Sequence, residues 1–157
     1  MQEMVENQSA ASSKKFGNIL ELATAEDFLT AIDKEDSTVS VIIYIYENDV
    51  AGCNTSFKCL KLIAQEYRHV KFCRIRASSV PLSKQFKDSG VPAIQGWRGG
   101  ELLASLVRIT DTLGEDFVMS DLESYLIESG LLVDKSLVPD VIRGPANHAG
   151  QNADDSD

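Results

Sequence analysis

The chain has 157 residues, 43% of them apolar and 25% charged, with a formal net charge of −9. That length supports one hydrophobic core and is too short for two. No apolar run approaches the roughly 18 residues a membrane span needs, and the polar start Met1 to Lys15 lacks the apolar stretch of a secretion signal, so a cytoplasmic protein is expected.

The elements follow in chain order. Phe16 to Leu22 alternates as Phe16, Asn18, Leu20, Leu22 against Gly17, Ile19, Glu21, and predicts a first strand. Thr24-Ala25-Glu26-Asp27 has the form of a helix cap before the apolar positions Phe28, Leu29 and Ile32. Val41 to Tyr46 is β-branched and aromatic throughout, without alternation, as a central strand covered on both faces requires. A second helix follows a loop. Asn54 is its expected cap, and Phe57, Leu60, Ala64 and Tyr67 recur along one stripe at steps of three and four. Val70 to Arg76 predicts another strand, reached by a right-handed parallel crossover. A short helix around Leu82 to Ser89 then ends at Gly90, an expected C′ residue.

Gly90 to Leu102, G-V-P-A-I-Q-G-W-R-G-G-E-L, contains a proline opening a strand and a Gly99-Gly100 turn of the kind that closes a tight hairpin, with a return strand through Leu106 and Ile109. The last helix is signalled by the capping-box spacing Ser120-Asp121-Leu122-Glu123, the apolar positions Leu122, Tyr125 and Leu126, and Gly130 as a stop. The resulting order is βαβαββα, an α/β mixed sheet flanked by helices. It resembles the thioredoxin fold, over residues 16–133. In thioredoxin-like proteins the residue before the hairpin proline forms a cis bond beside a redox dithiol, so the resemblance implies a cis Val91-Pro92 facing that site. A trans proline at a strand start is the ordinary alternative.

The dithiol itself is missing. Counting from Tyr44 forwards and from Tyr67 backwards lays the W-C-G-P-C-K motif of those enzymes on Asp49-Val50-Ala51-Gly52-Cys53-Asn54. Val50 takes the place of the attacking cysteine, and only the second position keeps its sulfur, as Cys53. Thiol-disulfide exchange needs an exposed thiolate that attacks and a neighbour that resolves the mixed disulfide. The expectation is therefore a redox-inactive, non-enzymatic domain with a degenerate loop of Val50, Cys53 and Pro92. The alternative is a residual thiol redox protein or sensor using Cys53 at a helix N-terminus. Cys59 and Cys73 fit structural thiols, and the three spacings suit neither a disulfide framework nor a zinc ribbon. His69 and His148 belong to no catalytic pattern, and phosphate-binding glycine patterns are absent, so no cofactor and no metal is expected.

Four motifs narrow the resemblance: I-Y-E-N-D-V-A-G-C from Ile45, A-Q-E-Y-R-H-V-K-F-C-R-I-R-A-S from Ala64, G-G-E-L from Gly99, and V-R-I-T-D-T-L-G-E-D-F-V-M-S-D-L-E-S-Y-L-I-E-S-G-L-L from Val107. Together they resemble the phosducin family, a non-redox branch of the fold, and its phosducin-like subgroup in particular. The resemblance implies binding to the βγ dimer of heterotrimeric G proteins, regulation of receptor signalling, and a co-chaperone role with the cytosolic chaperonin. The family's helical domain lies across the Gβ surface used by Gα; residues 1–15 read as a disordered or short helical remnant of it, so weakened Gβγ affinity is expected. The regulated members are phosphoproteins, and their arginine-rich phosphorylation site has no counterpart here. Gln95-Gly96, Pro81 and Trp97 also depart from the family. A buried Gln95 amide without partners would cost about 1–3 kcal/mol, so it either finds backbone partners or lies where the sheet is open.

Charge is unevenly spread. From Lys58 to Arg108 ten basic residues face three acids, a net +7, whereas the first 57 residues sum to −7 and the last 49 to −9. A basic middle between acidic ends steers an oppositely charged partner. Nucleic acid fits poorly, because no stacking aromatics accompany the lysines. The alternatives are an ordinary solvated surface or a contact, through Lys71, Arg74, Arg76, Arg98 and Arg108, with a protein face near a membrane, as a prenylated Gβγ dimer provides. Membrane association would then be peripheral, through the partner, and the protein itself a monomer. Residues 134–157 are polar and aperiodic, and read as a disordered acidic tail.

Overall fold

The computed structural model describes residues 16–134. Five strands, β1 (Ile19–Leu22), β2 (Ser40–Tyr46), β3 (Lys71–Arg76), β4 (Ala93–Arg98) and β5 (Glu101–Leu106), form one sheet in the order β1-β3-β2-β4-β5. The first three are parallel; β4 runs antiparallel to β2, and β5 to β4. Helices α1 (Ala25–Asp33), α2 (Cys53–Glu66), α3 (Lys84–Ser89), α4 (Thr110–Leu113) and α5 (Met119–Glu128) complete the thioredoxin fold. The segments 1–15 and 135–157, and with them His148, lie outside the described residues.

The unbroken apolar run of β2 is explained by two cores, one on each face. Ile42 and Tyr44 join Phe72 and Ile94 beneath α2 and α5, packing on Leu60, Ile63, Tyr67, Leu122 and Leu126. Val41, Ile43 and Ile45 point the other way, to Ala31 and Ile32 of α1 and to Cys73 and Ile75. Each large side chain removed from water in this way contributes about 1.5–3 kcal/mol. Leu131 reaches back over Gly96, where an added Cβ would lie 2.3 Å from its Cδ2 atom. The glycine at that strand position is thus a packing requirement.

Local chemistry sets the boundaries, and several differ from the sequence expectation. β1 begins at Ile19 rather than Phe16, because Gly17 has φ +84° and cannot continue a strand. Thr24 caps α1 as expected: its hydroxyl accepts from the Asp27 N–H at 3.1 Å, and the Asp27 carboxylate accepts from the Thr24 N–H at 3.2 Å. Asn54 does not cap α2. Gly52, at φ +87°, occupies that position, and its carbonyl accepts from the Ser56 hydroxyl at 2.7 Å. Gly90 ends α3 without left-handed geometry, at φ −99°; an added Cβ would meet the Phe86 ring at 2.7 Å. Gly99 and Gly100, at φ +59° and +80°, make the expected hairpin turn. Ile109 lies beyond β5, buried at the start of α4. The last helix starts at Met119 rather than after Ser120, with the Val118 N–H donating to the Asp121 carboxylate at 3.2 Å. Glu123, expected in that cap, instead accepts from the Tyr67 hydroxyl at 2.7 Å and ties α5 to the end of α2.

His69, just past α2, has its Nδ1 atom buried without a hydrogen-bond partner, and burial holds its pKa below the usual 6.5. The unfolded chain therefore binds a proton that the folded one resists. The stability His69 contributes is complete above its unfolded pKa and is lost as pH falls from there toward the folded value. Urea midpoints should drop between about pH 7.5 and pH 5.5, and His69→Phe should shrink that drop. An unchanged drop in the variant would assign it to other groups.

Candidate functional site

The β2–α2 loop carries the degenerate motif. Val91-Pro92 is cis, and the Pro92 ring stands opposite the loop, its Cγ 4.0 Å from where a Gly52 Cβ would be. Thr110 comes closer still, with its Cγ2 2.3 Å from that same point, so Gly52 is needed both for its backbone angle and for space. Asp49 adopts φ +66°, an uncommon angle for a residue with a side chain.

Cys53 sits in the first turn of α2, 8% exposed, and its carbonyl accepts from the buried Tyr44 hydroxyl at 2.8 Å. Burial first, and then the neighbouring Cys53, raise the Tyr44 pKa, so the phenol keeps its proton. The other thiols are poorly placed for chemistry. Cys59 donates weakly to the Phe117 carbonyl at 3.8 Å and its pKa is raised by burial; burial pushes Cys73 up to about 11. All three cysteines are free and buried. Val50 at the attacking position is half-buried against the α1-side core.

Beside this loop opens a cleft of about 520 Å³ lined by Tyr44, Tyr46, Glu47, Asn48, Asp49, Val50, Cys53, Asn54, Phe57 and Arg74. Tyr44 and Tyr46 stack with ring centroids 5.6 Å apart. The Arg74 guanidinium lies 4.0 Å from the Phe57 centroid and 4.9 Å from that of Tyr46, and pairs with Glu21. On the rim, Glu47 accepts from Arg76 at 3.1 Å and from the Ser78 N–H at 3.0 Å. Partial burial opposes ionisation of Glu47, but these donors prevail and hold its pKa below the usual carboxylate value. Sequence reasoning missed this cleft, which forms only through the β2–β3 register that sets Arg74 directly beside Tyr44.

The structure does not bring the five expected contact residues into one patch. Lys71 is buried and paired with Glu35 at 2.9 Å, with side chains only 5% and 3% exposed, so it cannot touch a partner in this state. It also points to the opposite face of β3 from Arg74 and Arg76. Arg98 lies opposite Ser40 at the start of β2, whereas Arg76 lies opposite Tyr46 at its end. Arg108, whose N–H donates to the Gly90 carbonyl at 2.7 Å, is near that second end. Gln95 is half-buried and finds a side chain rather than a backbone partner: its Oε1 accepts from the Trp97 indole at 3.1 Å.

Among the described residues no group of three or more His, Cys, Asp or Glu side chains is placed to hold a metal ion, and no helix is long and apolar enough to cross a membrane. The site is thus that of a thioredoxin-fold protein with valine where the attacking sulfur would be. The fold likeness extends to a thioredoxin mutant from Halobacterium salinarum, TM-score 0.56 at 15% identity, over 78% of this chain and 99% of that one. The family is more specific: the phosducin family model matches residues 1–157, and the chain belongs to the phosducin family. It is 37% identical to a human phosducin-like protein over all of this chain and 51% of the relative. It is 36% identical to bovine phosducin over 87% of this chain and 55% of the relative. The chain thus spans about half the length of the curated relatives it matches.

Proposed function

We propose that the chain is a non-enzymatic binding protein that engages the βγ dimer of heterotrimeric G proteins, as a regulator of receptor signalling or as a co-chaperone in βγ assembly with the cytosolic chaperonin. One observation carries the non-enzymatic part: the loop keeps the Pro92 ring opposite Gly52, while Val50 stands where the nucleophile would be. The identity of the partner rests on membership of the phosducin family. Arg74, Arg76 and Arg108, toward the cleft end of the sheet, are the contact residues of choice. Arg98 is a more distant candidate, and Lys71 acts through stability alone. The protein works in the cytoplasm, as a monomer, reaching membranes only through its partner. The affinity of this thioredoxin-fold domain by itself for Gβγ is weak, because one domain of this size offers limited contact area.

The test is a pull-down from cell extract with the intact chain as bait. Recovery of βγ and chaperonin subunits in the same eluate supports both roles, and βγ alone supports regulation without assembly. Recovery of neither rejects the proposal. The place of Cys53 at the start of a fourteen-residue helix favours one rival reading, a thiol sensor. Rapid alkylation of Cys53 at neutral pH would support that rival; slow alkylation, as burial implies, would dismiss it.

A further inference from the structure

Helix α2 carries two lysines and one acid, and it separates them by side. Lys58 and Lys61 are exposed on its outer surface, whereas Glu66 stands about 180° round the helix from Phe57, the ring over which Lys61 lies. Arg68, exposed just past the helix end, continues the positive side and shares a hollow of about 190 Å³ with Gln65, Gly17 and Asn18. Lys58, Lys61 and Arg68 make no ion pair among the described residues. Acids on the neighbouring α5 are engaged elsewhere, Glu123 by the Tyr67 hydroxyl and Asp121 by the Val118 N–H.

Two of the cations on this side are held close together. Arg74 and Lys61 both approach the Phe57 ring, at 4.0 and 5.5 Å from its centroid, which places them within about a Debye length of each other. Glu21 neutralises Arg74, but no described acid pairs with Lys61. A carboxylate brought against Lys61 therefore relieves a repulsion as well as forming a pair.

We infer that this side of α2 is a docking surface for a short acidic helix of another protein, its carboxylates meeting Lys61 and Arg68 with Lys58 alongside. Those two cations are seven residues apart, roughly 10 Å along the axis, which is the spacing of positions i and i+7 on a facing helix. An anionic bilayer is a poorer occupant. It meets the whole chain, whose net charge is −9, whereas a short segment meets only the positive stripe within the screening distance. A second copy carries the same net charge and is disfavoured for that reason. The surface is separate from the Arg76 and Arg108 contacts proposed for Gβγ and does not rest on that reading.

The probe is the capped fluorescent peptide A-E-A-A-E-A-A-A-E-A-A-E-A-A, whose glutamates share one helical side, titrated into the intact chain and read by anisotropy, with amide shifts recorded by NMR. Saturable binding with shifts concentrated on residues 57–68 is expected. The same peptide with glutamine for glutamate should bind at least about tenfold more weakly, since it forms no ion pairs. Lys61→Glu with Arg68→Glu should weaken binding by a comparable factor. Lys84→Glu with Lys87→Glu makes the same change in net charge on α3, across the sheet, where Phe86 packs into the other core. At about 0.15 M salt that control should change the affinity less than about threefold, because remote charges are screened. Circular dichroism identifies any variant that fails to fold, and the peptide comparison on the unmodified chain stands without variants. Absence of binding, equal binding of the glutamine peptide, shifts away from α2, or an equal loss in the α3 variant would overturn the inference. So would sedimentation of the chain with phosphatidylserine-containing vesicles that Lys61→Glu with Arg68→Glu abolishes, which would make the occupant a membrane.

Discussion

Lys71→Ala is expected to destabilise the domain by about 3–5 kcal/mol. The Lys71 ammonium and the Glu35 carboxylate meet at 2.9 Å with 5% and 3% of their side chains exposed, so neither charge retains its hydration. Removing the lysine deletes this ion pair while the Glu35 carboxylate stays buried. That is far worse than losing a surface pair, whose contribution is about 0–1 kcal/mol. Melting should fall by roughly 10 °C or more. Replacing both partners together, Lys71→Met with Glu35→Met, should recover much of the loss, because the buried carboxylate is then removed along with the lysine. The pair should also resist salt screening. Urea denaturation of the two variants is the check. A loss below about 1 kcal/mol for Lys71→Ala would mean that the pair is solvated in solution, returning Lys71 to the candidates for partner contact.

The second large effect concerns the missing nucleophile. The wild-type chain should reduce insulin no faster than buffer, because Val50 cannot attack a disulfide and Cys53 lies under the loop, 8% exposed. Val50→Cys creates a Cys-x-x-Cys pair on a loop that already has Gly52 at φ +87° and the Pro92 ring alongside. That variant should form an internal disulfide under mild oxidation, seen as the loss of two hydrogens by mass spectrometry, and should acquire measurable insulin reduction. Turnover by the wild-type chain at the rate of a true dithiol enzyme would refute the non-enzymatic reading. A Val50→Cys variant that oxidises but does not turn over would place the defect in substrate access as well as in the nucleophile.

Much of the fold was legible because its signals are local. The doubled apolar character of β2, the Thr24–Asp27 cap and the Gly99-Gly100 turn each follow from backbone and burial rules acting over a few residues. The two misplaced helix starts share one cause: a polar side chain suggests a cap where the backbone places a different residue. Asn54 and Ser120 are both competent caps by type, yet Gly52 and Val118 hold those positions because the loop geometry, and the reach of the Asp121 carboxylate, decide where each helix begins. The site was legible as an absence, through Val50. The cleft was not, because Tyr46, Phe57 and Arg74 come from three separated segments and meet only on folding. For the same reason a run of basic residues in sequence dissolved on folding. Lys71 and Arg74 are three residues apart but face opposite sides of β3, and Arg98 lies at the other end of the sheet from Arg76.

The measurement that bears most directly on the binding proposal is isothermal titration calorimetry of the intact chain with purified βγ dimer at about 50 and 300 mM salt, a range over which exposed charges become screened. Micromolar affinity that falls clearly at the higher salt is expected. Arg74→Glu with Arg76→Glu, verified as folded by circular dichroism because Arg74 also stacks on Phe57 and pairs with Glu21, should weaken it further. No detectable heat at either salt would contradict Gβγ binding altogether, and nanomolar affinity indifferent to both salt and the double reversal would contradict the weak, charge-steered contact proposed for this domain.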